Sequence, residues 1–212
     1  MKQLCWCRIG ALLSALLLLF ALTSCKKQEE PPIENDPHDR VSYENLTLSD
    51  YIQPFPYQNL TVTLKSENAS RSEAIWNYLL SNVEILRYPQ EQLDYYIAQK
   101  QSVFRHYAQQ NDLTYEEVLE ANGVSEESIL EEAKQIVKGD LLYRYIAEDA
   151  KIELTDTEKR SLLDRYVQKY SEQYGYTEEY VKEHMEDLVY DSMRYDKVRE
   201  YLIVNNHFTI PD

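Results

Sequence analysis

Between Ser70 and Thr177 the chain spells the start of a helix six times, and that punctuation leaves room for little else. Ser70, Thr114, Ser125, Thr155 and Thr177 each precede an amphipathic run, where a short hydroxyl side chain can accept from a free backbone N–H of the first turn. Pro89 supplies a fixed φ suited to a first helical position. Thr114 with Glu117 and Thr155 with Glu158 form capping boxes, and Gly123 and Gly175 supply the stops. Strand signals are few, for the whole chain has four glycines.

The apolar spacing fills in the helices. The first runs from its cap at Ser70 to about Leu86, with Ile75, Trp76, Leu79, Leu80, Val83 and Leu86 on one face. The second, opened by Pro89, carries Leu93, Tyr96, Ile97, Phe104, Tyr107 and Ala108 down to about Gln110. A short third helix lies between Thr114 and Gly123, and Ser125 caps a long fourth. The segment GDLLYRYIAEDA in that fourth helix is apolar on more than one face, which predicts that other helices surround it. A fifth helix has Leu163, Tyr166, Val167 and Tyr170 inward, and a sixth runs through Val181, Met185, Leu188 and Ile203 before an extended HFTIPD. Upstream, Leu46 to Leu64 holds Phe55 between two prolines and the alternation Leu60, Val62, Leu64, which predicts a single strand or a β-hairpin. The fold class expected is mainly α, with no repeat of fixed period.

The first residues read as an address. Lys2 and Arg8 precede an apolar run from Ile9 to Leu22, short for a membrane span, and Leu22-Thr23-Ser24-Cys25 resembles the lipobox at which bacterial lipoproteins are cleaved and acylated. Residues 1–24 are thus expected to be a signal peptide and Cys25 a lipidated N-terminus. Residues 25–42, with three prolines and many charges, read as a disordered tether, 43–67 as a short β or extended region, and 68–212 as the helical domain. The expected location is extracytoplasmic, on a bacterial membrane through the lipid. Cys5 and Cys7 leave with the signal, so no disulfide can form within the remaining chain. The formal charge of −15 becomes −17 once Lys2 and Arg8 are removed, which disfavours nucleic acid as a partner.

Reactive constellations are not evident. His38, His106, His184 and His207 lack metal-ligand spacing, so no metal and no cofactor are expected. The pairs Glu116-Glu117, Glu126-Glu127 and Glu178-Glu179 fall in first helical turns, where the helix dipole favours negative charge. No catalytic residue is assigned. Tyrosine is abundant, 19 residues against four phenylalanines, and a tyrosine can cover apolar surface while its hydroxyl stays wet. Tyr190 and Tyr201 lie roughly opposite the Val181, Met185, Leu188 stripe, and Tyr95 opposite Leu93 and Phe104. Those three are candidate contacts for a bound chain, or they pack on a neighbouring helix.

Three stretches carry a family resemblance: SNVEILRYPQEQLDYYI, YEEVLEANGVSEESILEEAKQIVKGDLLYRYIAEDAKIELTDTEK and MRYDKVREYLIVNNHFTI. Together they span Trp76 to Ile210 and resemble the C-terminal chaperone domain of trigger factor, in the divergent form found in bacterial lipoproteins; a related helical cradle occurs in SurA-type envelope chaperones. YENLTLSDYIQPFPYQNLTVTL resembles the short strand region that precedes the FKBP-type prolyl isomerase domain of such lipoproteins, and here only KSENASRSEAI separates it from the helix of Trp76. The resemblance implies an ATP-independent holdase without an isomerase, binding unfolded or nascent exported polypeptides. The alternative is a non-chaperone module that docks one envelope protein.

Overall fold

A computed structural model describes residues 41–210; the expected signal, Cys25 and the tether up to residue 40 lie outside them. After a 3-10 turn at Leu48–Asp50 come β1 (Thr61–Thr63), α1 (Arg71–Asn82), α2 (Gln90–Gln110), α3 (Tyr115–Asn122), α4 (Glu126–Asp149), α5 (Asp156–Tyr174), α6 (Glu178–Val204) and β2 (His207–Thr209). The architecture is mainly α, and its starts follow the caps. Thr114 Oγ1 accepts from Glu117 N while Glu117 Oε2 accepts from Thr114 N, and Thr155 and Glu158 repeat the exchange. Ser125 makes its own version with Ser128. Gly123 and Gly175 end α3 and α5 at φ of 65° and 70°, the left-handed conformation that a side chain resists.

Two boundaries differ from the sequence reading. Helix α1 stops at Asn82 and does not reach Leu86, because Val83 turns extended and the chain pairs with the region before β1. Ile85 bridges Ile52, Leu86 N donates to Tyr51 O at 2.8 Å, and Gln53 N donates to Glu84 O at 3.1 Å. Leu86 is therefore exposed, at 51%, and belongs to no buried stripe. Pro89 sits one position earlier than expected, as the N-cap of α2 with ψ of 122°.

The region before α1 forms a single strand, not a hairpin. β1 pairs in parallel with β2, Val62 opposite Phe208, so its partner is the extended end of the same chain. Val62 and Leu64 turn inward as the alternation predicts.

Three apolar clusters hold the helices. The largest has thirteen buried residues, among them Ile52, Ile75, Leu79, Leu142, Ile146, Val198 and Leu202, and joins β1, α1 and the C-terminal halves of α4 and α6. Each such Leu or Ile contributes about 1.5–3 kcal/mol relative to an exposed one. A second cluster packs Tyr43 against Leu93 of α2 and Ala133, Val137 and Leu141 of α4. Leu141 thus faces one cluster and Leu142 the other, which is why GDLLYRYIAEDA is apolar on two faces. The third, smallest cluster is Leu163, Val181 and Met185, between α5 and the N-terminal half of α6.

The long helices set the layout. α4 and α6, 24 and 27 residues, run about 36 and 40 Å at 1.5 Å per residue. Their C-terminal halves share the main core, while the N-terminal half of α4 packs with α2 to make one arm and that of α6 packs with α5 to make another. Val41 and Ser42, the last residues of the expected tether, lie against the first arm: Val41 packs on the second cluster, and Ser42 O accepts from the buried Gln92 Nε2 at 2.5 Å.

Candidate functional site

A groove runs between α2 and α4 on the first arm, with a volume of about 170 Å³. Ile129 and Ala133 form its buried floor, Tyr96 stands in its wall, and Val103 and Ile136 stay 65% and 41% exposed at its rim. Lys100 and Glu132, also lining it, pair at 2.8 Å. Exposed β-branched residues above an apolar floor can take the apolar side chain of a second chain.

A polar network fixes the groove wall. Tyr96 and Tyr43 both donate to Oδ2 of Asp140, each at 2.8 Å. Burial pushes the Tyr43 hydroxyl far up and the Asp140 carboxylate adds to it, so Tyr43 remains a donor. Arg144, one turn beyond Asp140, lies over the Tyr43 ring at 4.6 Å and pairs with Asp191 of α6 at 2.6 Å. The segment after the tether, the groove wall and α6 are therefore linked through one turn of α4.

The second arm carries a continuous ladder of aromatic rings. Tyr166, Tyr170 and Tyr174 follow one another at four-residue spacing on α5, with centroids 5.8 and 5.5 Å apart. Tyr176 continues across the turn, 5.8 Å from Tyr174, then Tyr180 of α6 at 4.7 Å and His184 at 4.5 Å. Tyr174 is 62% exposed and the other tyrosines are half-buried, so one side of the ladder meets water.

The three tyrosines singled out in the sequence occupy separate places, and all are half-buried. Tyr95 stands beside the groove, its ring 5.2 Å from Tyr96 and its hydroxyl accepting from Gln99 at 2.5 Å. Tyr190 packs on the third cluster at the root of the ladder arm and donates to Glu186 at 2.6 Å; burial, then this carboxylate, pushes its hydroxyl up to about 12. Tyr201 packs on the main core, 6.4 Å from Tyr57.

The acidic pairs do structural duty in part: Glu117 closes a capping box, Glu126 accepts from Gln101 and Tyr115, and Glu178 pairs with Lys182. Among the described residues no group of three or more His, Cys, Asp and Glu is placed to hold a metal ion, and no helix is long and apolar enough to cross a membrane. The ladder was not read from sequence, although the i, i+4 spacing of Tyr166, Tyr170 and Tyr174 was its visible signal. The groove leaves no such signal, because it needs two helices brought together.

No curated protein and no solved structure matches the chain. Residues 63–204 match the family model of the bacterial trigger factor C-terminus, from the end of β1 to the end of α6. That span takes in all six helices and so both arms, two thirds of the sequence, and the chain belongs to the trigger factor C-terminal family of chaperone-type domains.

Proposed function

We propose that this protein is a lipid-anchored, extracytoplasmic holdase that binds unfolded or nascent exported polypeptides without ATP and without isomerising prolyl bonds. The observation that carries the proposal is the α2–α4 groove, an uncovered apolar surface on one arm of a chaperone-type domain. Val103 and Ile136 offer apolar contact there, and Tyr95 extends the surface with a ring. Tyr190 and Tyr201 are the corresponding contacts proposed on the half-buried flank of α6. Affinity would be the sum of small apolar contacts, each modest, which suits a holder that must release.

The anchor rests on the lipobox-like Leu22-Thr23-Ser24-Cys25, and the charge of −17 left once Lys2 and Arg8 are removed from the −15 of the whole sequence would keep a loaded complex soluble and favour basic clients. Absence of an isomerase is supported by the direct passage from β1 to α1 through residues 64–70.

Two measurements test this. Labelled, permanently unfolded chains of unrelated sequence should all bind, basic ones more tightly at low salt, and binding of only one envelope protein would establish the docking-module reading instead. Cys25→Ser should abolish incorporation of radiolabelled fatty acid and release the protein from the membrane fraction; unchanged labelling would overturn the anchor.

A further inference from the structure

We infer that residues 41–43 form a strap whose seating is coupled to filling of the α2–α4 groove, with Tyr43 and Asp140 as positioning residues for the groove wall at Tyr96. The inference rests on the holdase reading and adds to it a way in which a holder without ATP can loosen its grip.

The strap is seated by a small set of contacts. Val41 packs on the second cluster, the Ser42 carbonyl accepts from Nε2 of Gln92, and Tyr43 is buried with Leu93, Ala133, Val137 and Leu141. The next two residues, Glu44 and Asn45, are exposed. A segment held so locally can lift without opening the helices beneath it. Lifting takes the carbonyl partner from Gln92, which is 2% exposed, and the carboxylate partner from Tyr43, so the seated state is favoured.

Seat and groove share one acceptor. Asp140 Oδ2 takes the Tyr43 hydroxyl of the strap and the Tyr96 hydroxyl of the groove wall. Each donor fixes the carboxylate for the other, so its rotamer freedom is lost once for two bonds. The apolar contacts repeat the link. Tyr96 and Ala133 line the groove, and the cluster to which Ala133 belongs, and on which Tyr96 packs, is the one that seats Val41 and Tyr43. A client side chain packed against the Tyr96 ring therefore favours the seated strap, and by reciprocity the seated strap strengthens the hold on the client.

Chymotrypsin reads the strap directly, because it cuts after Tyr43 only once that buried ring has lifted out. With fast lifting and reseating, the cutting rate follows the lifted population. The full chain is mixed with a saturating fluorescein-labelled peptide of Ile, Lys and Ser, which chymotrypsin does not cut, and the fragment beginning at Glu44 is followed by mass spectrometry. The peptide is expected to slow that cut about 5-fold or more. Tyr43→Phe and Tyr96→Phe each remove one hydroxyl from Asp140 while keeping the ring and the cutting site, and in each the slowing should vanish. If one variant loses its helical circular dichroism, the other decides. An unchanged cutting rate in the parent, or slowing that persists in either folded variant, overturns the strap. Peptide binding by anisotropy that Val103→Asp/Ile136→Asp abolishes, without any slowing of the cut, overturns the strap alone and leaves the groove standing. Binding that is absent, or indifferent to that double substitution, overturns the groove reading and the strap with it.

Discussion

Val62 lies opposite Phe208 in a parallel two-stranded ladder of three residue pairs, so the strand that leads into the helical domain is held by the strand that ends it. His207 N donates to Leu60 O and Leu64 N to Thr209 O, both at 2.8 Å, and α1 begins only seven residues after Leu64. A prolyl isomerase domain cannot be accommodated in residues 64–70. The protein is expected to leave the slow phase of a proline-limited refolding reaction unchanged; a clear acceleration would contradict this account of the junction.

The joint between the strands depends on one buried side chain, Asn206. Its Nδ2 donates to Tyr57 O at 3.0 Å and Leu202 O at 2.7 Å, and its Oδ1 accepts from Leu60 N at 2.9 Å. Truncation leaves buried backbone groups without partners, at roughly 1–3 kcal/mol each when water cannot replace the lost contact. Asn206→Ala is therefore expected to lower stability by about 3 kcal/mol, or Tm by roughly 6–12 °C, in thermal unfolding followed by circular dichroism. An unchanged Tm would show that the joint carries no stability.

Glu158 makes the start of α5 sensitive to acid. The Thr155 backbone N–H, then Lys197 and the Thr155 hydroxyl, hold its carboxyl down from 4.5 to about 2. Lys197 Nζ also donates to Glu153 O at 2.8 Å, tying α6 to the same corner. A depressed carboxyl contributes stability that is complete above pH 4.5 and lost as pH falls through about 2. The Tm difference between the parent and Glu158→Gln should thus be largest at neutral pH and shrink steadily below pH 4.5; a constant difference down to pH 3 would refute the linkage.

The two halves of α6 should differ in local stability. Its C-terminal half shares a cluster of thirteen buried residues, whereas its N-terminal half and α5 enclose three. Opening free energy scales with such burial, so amides of α5 and of residues 178–190 should exchange with deuterium faster than those of α1 and residues 195–204. Uniform protection along α6 would contradict the division into arm and body.

Much of the fold was legible because helix signals here are local. Thr114 with Glu117, Thr155 with Glu158, and the stops at Gly123 and Gly175 act within one turn, and each sits where the spacing places it. Leu86 was misread because its conformation is decided by Tyr51 and Ile52, far upstream in the chain. The β1 partner was illegible for the same reason, since parallel pairing joins opposite ends of the domain. The groove needed α2 and α4 side by side, and the ladder needed the turn at Gly175 to carry ring stacking from Tyr174 onto Tyr176. Solvent-facing Val103 and Ile136 look in sequence like ordinary surface exceptions.

The central claim, that the uncovered groove of a chaperone-type domain holds unfolded chains, is tested most directly by light scattering from two or three unrelated denatured proteins diluted with and without a stoichiometric amount of the protein. The account predicts suppression of all of them, reduced several-fold by Val103→Asp/Ile136→Asp with little change in Tm, because both side chains are exposed. No suppression of any client, or suppression indifferent to that double substitution, would contradict it.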